Sequence, residues 1–140
     1  MTVRDQLATI DLFADLPAPV LDDLVARGTR FKAGTGKVLV RQGNTDSGLQ
    51  LVLAGTATIL VNDVEVGTMT AGQHFGEMSL FDGAPRSATL IAGSDGVETF
   101  ALSALAFSDL LQDHPEVVRP IMRVLVGRIR RLEGSAVTDR

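Results

Sequence analysis

The chain has no cysteine among its 140 residues. Without cysteine there is neither a disulfide framework nor a thiolate metal site. No run of about 18 apolar residues occurs, so no membrane segment is predicted. The first residues also lack the apolar core of a signal peptide. These absences favour a protein of the reducing cytoplasm.

Net positive charge is missing as well, since 13 basic and 17 acidic residues give a formal charge of -4. Binding to nucleic acid irrespective of its sequence depends on basic residues that neutralise phosphates. We therefore expect no nucleic acid partner for this chain.

Signatures of catalysis are scarce too. His74 and His114 lie far apart, and neither has a second ligand at metal-binding spacing. There is no Gly-x-Ser-x-Gly elbow, no Walker loop and no paired-carboxylate arrangement. We predict a protein that is not an enzyme and that holds no metal or other cofactor.

The length and a hydrophobic content of 45% are those of a single domain, 1–140. Residues 4–28 show helical apolar spacing that Pro17 interrupts, with Asp15 as the expected cap of the second helix. Residues 29–102 change to short extended segments between turns. Residues 103–133 return to helical spacing.

The middle region predicts about eight short strands, typical of an antiparallel roll or sandwich. Residues 49–53 and 56–61 are read as two strands, as are residues 88–92 and 97–102. Residues 43–48 form a turn. With helices on both sides of this jelly-roll-like β-roll, the predicted fold class is α+β.

The C-terminal region predicts helices that begin after Ser103, a good N-cap, and at Pro115. Pro120 either starts or kinks the last helix. That helix carries an apolar stripe: Ile121, Leu125, Ile129 and Leu132. From Gly134 onward we expect a frayed end.

Residues 75–90 combine several groups that suit a nucleotide. Gly76 permits a close backbone approach, and residues 77–81 predict one helical turn whose free amides favour an anion. Arg86 offers a planar fork of donors for phosphate. Glu77 can accept hydrogen bonds from sugar hydroxyls, and Ser87 adds a hydroxyl. A phosphate and a ribose bound together indicate a nucleotide.

This segment resembles the phosphate-binding cassette of the cyclic nucleotide-binding domain family, which includes catabolite activators and protein kinase A regulatory subunits. Two stretches match the family pattern position by position: Phe75-Gly76-Glu77-Met78-Ser79-Leu80 and Pro85-Arg86-Ser87-Ala88-Thr89-Leu90. The surroundings of Gly43 and Gly55 also match early glycines of the family. The resemblance extends over about residues 12–132.

The resemblance implies reversible binding of a cyclic nucleotide, with cAMP the expected ligand and cGMP the other candidate. Arg86 and the amides of the Glu77 turn are expected to hold the phosphate, and Glu77 the ribose 2′-hydroxyl. The final helix is expected to close over the base as a lid. The expected ligand-binding residues are Phe75, Gly76, Glu77, Met78, Ser79, Arg86, Ser87, Ala88 and Arg128.

Other interpretations stay open. Arg86 alone could be a surface ion-pair partner, Glu77 a solvated helix residue, and Ser87 a cap for a local backbone group. The domain could serve as an interaction module without a ligand, or as a nucleotide hydrolase with Glu77 as its base.

The effector that this domain regulates is also undecided by the sequence. Family members that regulate transcription carry a helix-turn-helix after the final helix, and this chain ends at Arg140. We expect either a free-standing sensor or one domain of a longer protein, acting on an effector domain or protein that the sequence does not name. The oligomeric state is not predicted.

Overall fold

The computed structural model describes residues 2–45 and 48–138, with side chains described up to Gly134. In this part of the chain, five α-helices and one 3₁₀ turn accompany six strands. The helices are α1 (Val3–Leu7), α2 (Ala18–Arg27), α3 (Ser79–Asp82), α4 (Ala104–Asp113) and α5 (Val118–Thr138), with the 3₁₀ turn at Pro115–Val117. The strands are β1 (Thr29–Ala33), β2 (Val38–Val40), β3 (Gly48–Val61), β4 (Val64–Thr70), β5 (His74–Phe75) and β6 (Thr89–Ser103).

The strands form one antiparallel sheet in the order β1-β6-β3-β4, with β2 paired to β6 and β5 paired to β3. The predicted α+β class with an antiparallel β-roll is confirmed. The predicted turn at 43–48 is described only in part, because Asp46 and Ser47 lie outside the described residues.

Two long strands replace four of the predicted short ones. Strand β3 spans 14 residues and β6 spans 15, and their pairing shifts register beside Gly55 instead of stopping there. Gly55 and Gly96 both have positive φ, and a Cβ on Gly55 would lie 2.2 Å from the Gly96 carbonyl oxygen. These glycines therefore bend continuous strands, whereas the sequence signal looked like turns that end them.

The two faces of these strands point to different surroundings, because side chains alternate along a strand. Leu49, Leu51, Phe100 and Leu102 pack with the helices in one apolar cluster. Val52 belongs to a second cluster inside the roll, with members that are mostly small: Ala33, Val40, Ala57, Met69, Leu90, Ala92 and Val97.

The N-terminal region is less helical than predicted. Helix α1 ends at Leu7, and residues 8–16 form turns held by hydrogen bonds such as that from the Phe13 amide to the Ile10 carbonyl at 2.9 Å. The predicted apolar positions Leu7, Ile10, Leu12, Phe13 and Leu16 are all buried. The expected cap at Asp15 was wrong, since Pro17 occupies the N-cap position of α2 without a side-chain hydrogen bond.

The C-terminal helices follow the prediction more closely. Ser103 Oγ accepts a hydrogen bond from the Ala106 amide at 3.0 Å, which confirms the N-cap. Pro115 begins the 3₁₀ turn, and Pro120 lies in the first turn of α5, where a missing amide costs no helical hydrogen bond.

Helix α5 also runs further than predicted. It continues to Thr138 past the expected frayed start at Gly134, while the predicted fraying of Asp139 and Arg140 lies outside the described residues. No helix in the described stretches combines the length and apolarity needed to cross a membrane.

Candidate functional site

Residues 74–87 surround a cavity of about 350 Å³ beside α3, here called the cassette cavity. Seven of the nine predicted ligand-binding residues line it: Phe75, Gly76, Glu77, Met78, Ser79, Arg86 and Ser87. His74, Asp82, Ala84 and Pro85 complete the lining. Ala88 does not line the cavity and is buried, with 3% of its surface exposed. The structure thus brings these residues together around one cavity, and their role in ligand binding stays a prediction.

Gly76 is fixed by close contacts in the cassette. Its φ of 83° is in the left-handed region that favours glycine. A Cβ at this position would lie 2.4 Å from the Gly48 carbonyl oxygen and 2.9 Å from Arg86 Nη1. Any larger residue would push strand β3 and Arg86 away from the cassette.

Arg86 is buried, with 6% of its surface exposed. Its Nη1 donates a hydrogen bond to the Gly48 carbonyl, and the guanidinium carbon lies 6.0 Å from the centre of the Phe75 ring. The Arg86 amide donates to the Asn44 carbonyl at 2.9 Å. Arg86 is therefore not a surface residue, as the alternative interpretation had it, because the folded chain turns its side chain inward.

The short helix α3 is pinned to strand β3 by Ser79. The Ser79 hydroxyl accepts a hydrogen bond from the Gly48 amide at 2.9 Å and donates to the Gly76 carbonyl at 2.7 Å. The amides of Ser79, Leu80 and Phe81 donate to carbonyls three residues earlier. These three amides are therefore engaged within the turn and are not available to an anion in the cavity.

Glu77 lies between a histidine and an arginine. His74 Nε2 is 3.4 Å from Glu77 Oε2, and Arg128 Nη1 is 3.5 Å from Glu77 Oε1. The hydrogen bond with His74 is the main cause that lowers the pKa of Glu77 below its ordinary value, and partial burial opposes it. The charge of Arg128 lowers this pKa further. The carboxylate is thus kept ionised as an acceptor.

Arg128 brings the final helix to the cassette. Its guanidinium donates two hydrogen bonds to Asp11, of which the Nε bond measures 3.1 Å, and its Nη1 lies 3.2 Å from Met78 Sδ. The hydrogen bond with Arg128 lowers the pKa of Asp11 below its ordinary value. Sequence reasoning missed Asp11, since a lone aspartate in a turn region gives no signal of a partner 117 residues away.

The apolar stripe of α5 divides into two halves. Ile121 is buried with 2% exposure and packs in the helical cluster, with Leu125 partly buried against it. Ile129 and Leu132 are 55% and 72% exposed. The first half of α5 is therefore anchored, and beyond it Arg128 provides the contact to the cassette.

Comparison with known proteins places this geometry in a family. The sequence profile described as "Cyclic nucleotide-binding domain" matches residues 30–114. A cAMP-dependent protein kinase regulatory subunit of Blastocladiella emersonii is 34% identical over 134 residues, which cover 92% of this chain and 33% of the relative. A cyclic nucleotide-gated potassium channel of Rhizobium etli is 32% identical over 87% of this chain and 34% of its own length. The chain spans about a third of these two relatives.

Solved structures agree with the sequence comparison. The N-terminal domain of a transcriptional regulator from Streptomyces coelicolor A3(2) superposes with a TM-score of 0.83 at 26% identity, covering 94% of this chain and 95% of that one. The catabolite activator protein of Thermus thermophilus gives a TM-score of 0.67 at 25% identity, covering 91% and 62%. The chain therefore belongs to the cyclic nucleotide-binding domain family, a family of ligand-binding regulatory domains.

Proposed function

We propose that this domain reversibly binds a cyclic nucleotide, preferentially cAMP, in the cassette cavity and performs no chemistry on it. The observation that carries the proposal is the convergence of Arg86 and Glu77 on one cavity of about 350 Å³. The two residues are separated by eight positions of chain that turn back on themselves. A guanidinium and an ionised carboxylate at one site suit a phosphate and a ribose, respectively.

Phosphate binding rests on an arginine that is already oriented. The hydrogen bond from Arg86 to the Gly48 carbonyl fixes part of the guanidinium before ligand arrives. A preorganised donor loses less conformational entropy on binding than a free surface arginine. The ring of Phe75 lies beside the guanidinium and limits its hydration.

Ribose binding requires an exchange of partners at Glu77. In the described structure, the Glu77 carboxylate faces His74 and Arg128. A ribose hydroxyl that donates to Glu77 competes with these contacts, and Arg128 is then available to approach the base. Occupancy thus changes how α5 is held, which is a route from ligand to effector.

The test is a calorimetric titration of the protein with cAMP and with cGMP, followed by chromatography of the nucleotide after long incubation. We expect heat of binding with both, affinity for cAMP higher by about tenfold or less, and unchanged nucleotide. Tighter binding of cGMP overturns the preference. Hydrolysis points to an enzyme, and no heat with either nucleotide points to an interaction module.

A further inference from the structure

A second cavity is lined mostly by residues outside the cassette. It encloses about 410 Å³ between β1, β2, β3 and β6, on the face of the sheet that carries Phe31, Gln50 and Thr99. Its residues and those of the cassette cavity overlap at Arg86 only. The size is within the range of small-molecule sites, about 300–1,000 Å³.

The buried polar side chains of the described residues all line this second cavity. They are Gln50, Arg86 and Thr99, with 9%, 6% and 1% of their surfaces exposed. Gln50 Oε1 and Thr99 Oγ1 make no hydrogen bond to the described part of the protein. Because buried polar atoms are nearly always paired, these two oxygens indicate a partner from outside the chain.

The charges around the second cavity have one sign. Arg27, Lys32, Lys37 and Arg86 contribute to its lining, and none of the lining residues is an aspartate or glutamate. Arg27 is engaged by Asp23 and Asp113, and Lys32 lies 3.9 Å from Glu98. Lys37 is exposed and has no ion pair with any described residue, so its charge can reach a ligand in the cavity.

The remaining wall is apolar. Val38, Leu39 and Ala101 contribute to it, and Phe31 is half exposed beside them. An apolar wall, a cationic mouth and two buried oxygens that can accept hydrogen bonds define one ligand chemistry. We propose that the second cavity binds a small organic carboxylate with an apolar body and a hydroxyl or amide hydrogen.

Arg86 is the one residue that lines both cavities, and the proposal does not depend on it. The proposal does not rest on nucleotide binding, because the groups that carry it, Gln50, Thr99 and Lys37, do not line the cassette cavity. Failure of nucleotide to bind would leave this proposal unaffected.

The test uses two-dimensional amide NMR of the 140-residue chain, with 2-hydroxy-4-methylpentanoate as the probe. We expect saturable shifts of the Gln50 side-chain amide and of the Phe31 and Thr99 backbone amides, with a Kd on the order of 1 mM. The uncharged 2-hydroxy-4-methylpentanamide should bind at least about tenfold more weakly. Equal binding of the two probes, or shifts confined to residues 74–87, overturns the proposal.

Variants identify the groups responsible. Thr99→Val keeps the shape of the side chain but removes its hydroxyl. This variant and Lys37→Gln should each lower the affinity for the probe by about three- to tenfold. The controls are Thr68→Val on the exposed side of β4 and Arg130→Gln on α5, which should bind as the unmodified protein does. Ala101→Leu should block the cavity. If Thr99→Val and Lys37→Gln both bind the probe normally, the proposal is wrong, whether or not Ala101→Leu folds.

Discussion

The two faces of strands β3 and β6 form cores of opposite character. On the helical face, large side chains pack against α2, α4 and the N-terminal turns, and Phe13, Phe100, Phe107 and Leu110 are at most 1% exposed. On the roll face, the buried apolar residues are mostly alanine and valine, with one methionine and one leucine. The buried polar side chains of these two strands, Gln50 and Thr99, also lie on that side and line the second cavity.

Under the two proposals above, one face of the sheet stabilises the fold and the other binds ligands. Filling an interior with large apolar side chains stabilises a fold in proportion to the area that is buried. Small side chains leave space, and buried polar groups beside that space can be paired by a ligand. Mutations on the helical face should therefore act mainly on unfolding, and mutations on the roll face mainly on binding.

The strongest test of the helical face is Leu110→Ala in α4. Leu110 is fully buried, so loss of its side chain should lower the free energy of unfolding by about 2–5 kcal/mol. Leu105→Ala on the same helix is the control, because Leu105 is 73% exposed and should change stability by less than about 0.5 kcal/mol. Urea denaturation measures both. Equal midpoints for the two variants contradict the assignment of the helical core.

The strongest test of the roll face is Arg86→Ala. Two charge-assisted hydrogen bonds at about 1.5–3 kcal/mol each imply a loss of cyclic nucleotide affinity of about a hundredfold or more. Burial adds a stability cost of about 1–3 kcal/mol, because the Gly48 carbonyl loses its donor. Calorimetry with Arg41→Ala as an exposed control checks the affinity, and unchanged binding removes Arg86 from the site.

Glu77→Gln should lower the affinity for cAMP less than Arg86→Ala does. Loss of one carboxylate acceptor should reduce cAMP affinity by about tenfold, corresponding to 1.4 kcal/mol. The preference for cAMP over 2′-deoxy-cAMP should shrink at the same time. Glu65→Gln on the exposed part of β4 is the matched control. If Glu77→Gln still distinguishes the two nucleotides fully, Glu77 does not contact the ribose.

Asp11→Asn should weaken the contact between Arg128 of α5 and the N-terminal turns. The Asp11–Arg128 pair is partly exposed, so its contribution is about 0.5–1 kcal/mol, and hydrogen exchange of amides 125–132 should rise about two- to fivefold. Asp22→Asn, which breaks the exposed pair with Arg4, should leave these amides unchanged. Exchange that is equal in both variants shows that Asp11 does not hold the helix.

The smallest expected effect concerns pH on the helical side. His114 Nε2 lies 2.7 Å from Asp23 Oδ2, and this hydrogen bond raises the pKa of His114 above its ordinary value of 6.5. A raised folded pKa stabilises the protein below about pH 6.5. That stabilisation is lost as the pH rises through the folded pKa. The difference in Tm between the unmodified protein and His114→Asn should therefore shrink from pH 6 to pH 9.

An Asp23→Asn background provides the control for this titration. Without the carboxylate, the main cause of the raised His114 pKa is gone. The effect of His114→Asn should then vary little with pH. A pH dependence that persists in this background assigns the effect to another group, of which Glu116 at 3.4 Å from Nδ1 is the nearest candidate.

Local signals in the sequence predicted the residues that meet at the cassette cavity, and their ligand-binding role stays a prediction. Gly76, the turn at 77–81 and the Pro85-Arg86 pair depend on backbone chemistry within about 15 residues, and the structure brings them to one cavity. The strand breaks at Gly55 and at residues 93–96 were predicted wrongly. In the sequence, a glycine that ends a strand looks the same as a glycine that bends one. Pairing with a distant strand decides between the two.

The sequence by itself determined the fold class, the apolar positions of the N-terminal region and the residues of the cassette, because each depends on local periodicity or on a short motif. Tertiary structure alone decided that Arg86 is buried against Gly48, that Arg128 contacts Asp11 and Glu77, and that Gln50 and Thr99 share a second cavity. These contacts join residues 38 to 117 positions apart. The physical reason is that only the closed sheet and the docked helices bring such groups within hydrogen-bond distance.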